Sequence, residues 1–409
     1  MSKRLTLLCW LALALQAAAQ VPVQPEGFMV FNQLFDAKPS AEPPKCRTSL
    51  RGPSLDFAFR FNLGYIMVCR VADFADRPGD LQVYTRVTPQ GGSPVLLTET
   101  YPLPASLAEL RTKLTPRKFT QYEFSFSGGF SVGEGDYRVE VLLIDPQKRT
   151  SLRQWDVRAV RKRGEGAITP ALAAGTVEPM VIVPWEGKLT REGLRLTVLL
   201  DVATLNPDEG RLYTWDRALL LESLVSLLRW TPCRSVRLLA FNLEQQKEIF
   251  RKESFDRAAF VELALALQQL ELGTVSYRAL QKEGPANLLA ELVRQESNAK
   301  EPADAVIFVG PSVRFDGKMP RPELSTMEKG STHFFYFEYF PWYRPEFPDS
   351  IDYLTKDLHG TVFKIHNAGE LGQAIQKMLA QLNRGELEKT MPPPGGTPSM
   401  SVVPSRPHN

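Results

Sequence analysis

Apolar side chains fall on alternate positions through Phe57, Phe59, Phe61, Leu63, Tyr65, Met67, Cys69 and Val71, and on helical spacing from Leu220 to Leu228. No single regular element satisfies both periods. The 409-residue chain therefore has to hold a strand-built part followed by a part that mixes strands and helices. Further alternations run through Leu81, Val83, Thr85 and Val87, through Tyr122, Phe124 and Phe126, and through Tyr137, Val139, Val141 and Leu143. Turn-forming stretches (RPGD, PQGGSP, SGGF, GEGD) separate them, and Gly64 reads as a turn or bulge inside the first run. Short strands spaced this way predict an antiparallel β-sandwich over 54–165. Residues 20–53, rich in Pro and polar side chains, read as an extended lead. Residues 166–192 read as a linker or edge strand.

Beyond Gly193 the rhythm changes. LRLTVLLDV is a buried strand. DRALLLESLVSLLRW places Leu220, Leu221, Leu224, Leu227 and Leu228 on one helical face, closed by Thr231-Pro232. SVRLLAFNL, DAVIFVG, HFFYFEYF and GTVFKI supply further strands, and KEIFRKESF another candidate. Between them lie a helix capped by Asp256, one near 286–297, a short one around 350–358 and a last one carrying Leu371, Ile375, Met378 and Leu382. This order predicts an α/β, doubly wound, Rossmann-like domain over 193–385, with helices on both faces of a mainly parallel sheet. Ligands of such sheets sit at the carboxyl ends of the strands, where Asp201 falls. The Pro/Gly-rich residues 386–409 read as a disordered tail.

The first nineteen residues combine Lys3 and Arg4, the apolar run LTLLCWLALAL and a small-residue stretch ending near Ala19. That is a signal-peptide pattern, and it predicts an exported protein, periplasmic or extracellular, with no membrane span in the mature chain. Export permits disulfides, and Cys46 and Cys69, in one predicted domain, could pair, leaving Cys233 alone. A net charge of +3 gives no reason to expect a nucleic-acid partner. Neither Cys/His metal spacing nor a phosphate-binding or nucleophile-elbow motif occurs. The segment HFFYFEYFPWYRPEF leaves its strand through Trp342 and Tyr343, residue types that anchor interfaces.

Several stretches of the second half resemble a von Willebrand factor A-type domain. LTVLLDVA is similar to that family's first strand, VRLLAFN to its second, ELGTVSYRAL to its Gly-Gly-Thr segment, AVIFVGP to the strand ending in Thr-Asp-Gly, and GTVFKIHNAGELGQAI to the closing strand and helix. With the leader and the β-rich front half, the whole resembles exported VWFA-related bacterial proteins of acidobacterial type. GDYRVEVLLID in the front half resembles a late strand of immunoglobulin-like bacterial modules. The von Willebrand resemblance implies a Mg²⁺-dependent adhesion site built of hard oxygen ligands. Asp201 matches its leading Asp and Thr274 its Thr. Ala203 and Leu205 stand where the two Ser ligands belong, and Gly310 where the second Asp belongs. The set is a remnant, so no cofactor is expected, Mg²⁺ being the one ion the remnant could admit.

The resulting expectation is a non-catalytic adhesion or scaffold protein. It would meet an unidentified protein partner through Asp201, Thr274, Gly310, Trp342 and Tyr343. The alternative is a secreted hydrolase with a carboxylate-based site.

Overall fold

The computed structural model describes residues 21–23, 27–37, 40–74, 79–103, 106–206, 210–272, 284–312, 332–340 and 349–390. The signal-peptide stretch, Thr274, Trp342, Tyr343 and the tail beyond 390 lie outside the described residues. Among those described, fifteen strands fall into three sheets.

Two antiparallel sheets make the first half. One holds β1 (Val21–Pro22), β5 (Val95–Pro102), β4 (Asp80–Pro89), β7 (Gly135–Ile144) and β8 (Thr150–Ala159), in that spatial order. The other holds β2 (Cys46–Leu55), β3 (Phe61–Arg70), β6 (Glu123–Val132) and β9 (Val177–Pro179). Their inner faces share one core. Phe61, Leu63, Tyr65, Met67 and Cys69 of β3 meet Leu81, Val83, Val87, Val139, Val141 and Leu143 of β4 and β7. This is a β-sandwich, and the period-2 pattern produces it directly. The Tyr65 and Tyr101 hydroxyls converge on the Glu99 carboxylate, which lies between the two sheets. Cys46 and Cys69 face each other in the β2–β3 register and are joined by a disulfide. Short helices α1 (Phe28–Asp36), α2 (Ser106–Lys113) and α3 (Pro116–Gln121) flank the sandwich.

The second half is built on a six-stranded sheet ordered β12 (Lys247–Lys252), β11 (Cys233–Asn242), β10 (Leu194–Asp201), β13 (Ala305–Pro311), β14 (His333–Tyr339), β15 (Thr361–Ile365). Neighbours run parallel except β12, which lies antiparallel on β11. One face is covered by α4 (Thr214–Trp230), α5 (Arg257–Gln269) and α8 (Ala368–Thr390), through Leu224, Leu263 and Ile375. The other is covered by α6 (Gly284–Ser297) and α7 (Ser350–Asp357), through Leu289, Val293 and Leu354. The Asp256 side chain caps α5 by accepting the Ala259 amide. No described helix is long and apolar enough to cross a membrane.

This corrects the expected fold class. The sequence pointed to a doubly wound α/β, von Willebrand A-type domain behind an immunoglobulin-like sandwich. Taken over the described residues, the molecule is instead mostly β-sheet, with 29% helix, and the mainly parallel, helix-covered sheet is one of three. The physical reason is the reach of strand pairing. Strands take in stretches that the apolar pattern left out, from the supposed lead and the supposed linker.

Two local readings change as well. The lead over 20–53 is not simply extended, because it contains α1 and most of β2. An edge strand such as β2 needs little apolar alternation, which hid it. The strand containing Gly64 runs through that residue unbroken, with a Cβ there only 3.2 Å from the Gly128 carbonyl oxygen. The turn lies earlier, at 56–60, where Phe59 has φ of 62°. Phe57 and Phe59 continue the alternation in sequence but pack against the core of the second half.

Candidate functional site

The apolar run of β10 delivers Asp201 to the carboxyl end of the six-stranded sheet, as its sequence implied. It is fully buried, at 0% exposure. Neither carboxylate oxygen has a hydrogen-bond partner among the described residues. Burial first, then the charges of Asp349 and Glu244, push this carboxyl well above the usual carboxylate range, with the Leu243 amide pulling the other way. An unpaired carboxylate at such depth is costly, and it lowers that cost by holding a proton.

Two more acids share this end of the sheet. Asp349 caps α7 by accepting the Ile351 amide at 2.6 Å, and it accepts the Tyr336 hydroxyl at 3.0 Å. Glu338, in register with Gly310 across β13–β14, is pushed up to about 7. Burial is the main cause and Asp349 the next; Ser312 draws it back without closing a hydrogen bond.

Gly310 stands directly against Asp201. A Cβ at Gly310 would lie 2.7 Å from the Asp201 carbonyl oxygen and 2.8 Å from its Cβ. The two positions matched to the adhesion site are thus brought together, but by close backbone packing rather than around a ligand. Ala203 is buried and Leu205 packs on the apolar core. Among the described residues, no group of three or more His, Cys, Asp or Glu side chains is arranged to hold a metal ion. The described part of the set therefore does not fit Mg²⁺, which needs several convergent oxygens.

The same rim carries a feature the sequence reading passed over. After β10 the chain returns through Arg211, Tyr213 and Trp215 into α4. The Tyr213 and Trp215 rings stack with centroids 4.6 Å apart and planes within 11°. The Arg211 guanidinium carbon lies 5.1 Å from the Tyr213 ring centroid. Trp215 is 57% exposed. The ladder is held from below by Asp216, which is buried and accepts the amides of Leu205 at 3.0 Å and Tyr213 at 2.9 Å. Arg217 donates to the Leu212 carbonyl and the Thr214 hydroxyl. Neither Arg211 nor Arg217 has an ion-pair partner among the described residues. The signal was in the sequence, because RLYTW puts Arg, Tyr and Trp at every second position, and Arg211 is tied by an antiparallel bridge to Glu271.

Two of the described histidines serve elsewhere. The His366 ring lies 2.9 Å from Glu370 at the start of α8, and His333 stacks on Phe335.

No family model matches the chain, and no curated protein matches it. Solved structures that overlap it include a glycosyl hydrolase family 2 member from Bacteroides cellulosilyticus, with a TM-score of 0.20 and 11% identity over 76% of this chain and 37% of that one. A Bacteroides uniformis β-glucuronidase overlaps with a TM-score of 0.18 and 12% identity over 84% and 32%. Purple acid phosphatase from yellow lupin overlaps with a TM-score of 0.20 and 10% identity over 74% and 59%. The chain spans about a third of the length of these two bacterial hydrolases. Overlaps this slight carry no argument about activity.

Proposed function

We propose that this is an exported, non-catalytic binding protein that meets its partner at the carboxyl-end rim of the six-stranded sheet. The Arg211–Tyr213–Trp215 ladder is the observation that carries the reading. It is exposed, aromatic, cationic and held in place by a buried carboxylate, which is the make-up of an interface anchor. The Arg211 guanidinium, without an ion-pair partner among the described residues, favours an acidic partner segment. The Cys46–Cys69 disulfide supports an oxidising compartment. Trp215→Ala should weaken capture of the partner from native envelope extract by roughly 30-fold or more, with the melting temperature unchanged. Undiminished capture by a folded Trp215→Ala protein would remove the ladder from the interface.

A hydrolase reading has one observation in its favour, a carboxyl of Glu338 that titrates near neutrality, as a general acid would. Hydrolysis of a glycoside panel that disappears in Glu338→Gln would favour it over the binding reading.

A further inference from the structure

A charged cluster lies where the two halves of the molecule meet. The turn between β2 and β3 pushes Arg60 out of the sandwich and into the second half. Its backbone amide and Nε donate to Asp56, at 2.8 and 3.1 Å. Its Nη1 donates to the Val181 carbonyl at 2.6 Å, and its Nη2 to Glu222 of α4 at 3.1 Å. The Arg60 side chain is 3% exposed, and both acids are nearly as buried. Apolar contacts seal the cluster from water. Phe57 sits edge-on to Tyr339, and Phe59 edge-on to Trp230. The Ser226 hydroxyl donates to the Phe57 carbonyl at 2.6 Å, and the Ala171 amide to that of Phe59 at 2.7 Å.

The charges do not balance. Two carboxyls are ion-paired to a single guanidinium in a sealed space. From the helix that carries Glu222, the Arg229 guanidinium lies within electrostatic reach of Asp56 and Arg60 but makes no ion pair with Asp56 or Glu222 among the described residues. From the segment before β10, Glu186 approaches Arg229 and is itself paired with Lys188. Tyr339 and Ser223 add only hydroxyls. With Glu186 offsetting Arg229, the ion-paired trio holds a net negative charge at low dielectric when both its acids are ionised, and is neutral with one protonated.

We propose that the Asp56–Arg60–Glu222 cluster is a proton-dependent latch between the sandwich and the second half, closed while one of its two carboxyls holds a proton and loosened once both are ionised. The direction follows from linkage. Burial, and then Asp56, raise the Glu222 carboxyl to about 8 when docked, against the pull of Arg60. Asp56 is raised too, again by burial first. Undocked and in water, Glu222 would titrate near ~4.3. A raised carboxyl stabilises docking fully below that ordinary value. The contribution declines as pH climbs and is gone above about 8.

The Ala171 amide reports the docked state because its acceptor is the Phe59 carbonyl. Its hydrogen-exchange protection should be measured from pH 5.5 to 8.5, corrected for the intrinsic rate and referenced to the core strand β13. Wild-type protection should fall at least ~10-fold, the equivalent of one pK unit. Glu222→Gln and Asp56→Asn each leave one carboxyl per guanidinium and keep the acceptor oxygens, so each should lose less than ~3-fold. A flat wild-type profile overturns the latch without any variant. So does a folded Glu222→Gln protein that declines as steeply as wild type.

Discussion

Asp201 is where sequence and surroundings pull hardest against each other. Its place at the end of an apolar strand suggested a ligand, yet burial and then the charge of Asp349 push its carboxyl toward the protonated form of a structural acid. A neutral acid should tolerate its amide. Asp201→Asn should cost less than ~1 kcal/mol in mildly acidic buffer, where a proton already fills the role. Its raised titration means that wild-type stability declines as pH rises past the ordinary carboxylate value, and Asn removes that decline. Glu338 adds a similar loss between its ordinary value and about 7. Denaturant titrations of Glu338→Gln from pH 4 to 8 should recover about 2 kcal/mol at the upper end, after discounting for solvent nearby. A parallel loss in wild type and both variants would mean that these acids are ionised throughout.

Elements owe their placement to contacts that a sequence pattern only partly records. The strand Leu194–Asp201, the leucine face of α4 and the Asp256 cap were legible because local period and cap chemistry decide them. The β2 strand and the short helices were not, because edge position and flanking packing decide those. Gly310 lies between the two cases. Its lack of a side chain looked like a lost metal ligand, but it is a packing requirement against Asp201. Gly310→Ala should therefore destabilise by about 1–3 kcal/mol. Gly166→Ala, where a Cβ meets nothing within 4 Å, should be nearly silent in the same thermal melts. The β2–β3 disulfide closes a loop with a separation of 23 residues. Its reduction should cost about 2–4 kcal/mol and lower the melting temperature of the sandwich in dithiothreitol. An unchanged melt would show that strand pairing alone holds β2.

At the scale of the whole molecule, the two halves are not beads on a string. Phe57 and Phe59 looked like strand residues because nothing in their spacing reveals a second core to pack on. The Arg60–Glu222 pair joins positions 162 residues apart, a distance at which a single sequence offers no pattern. The Arg211–Tyr213–Trp215 ladder was readable in principle, since its residue types are those of interface anchors. What hid it was the expectation that binding residues would lie on the family's metal-site positions. The central claim is that this rim binds a partner. It is tested most directly by a benzophenone side chain at position 214, beside Trp215, with irradiation in the native organism and Leu265 on α5 as an exposed control site. One discrete protein adduct is expected from position 214, absent from position 265 and lost when Trp215→Ala is added. Adducts that are equal at both positions, or unaffected by Trp215→Ala, would contradict the claim.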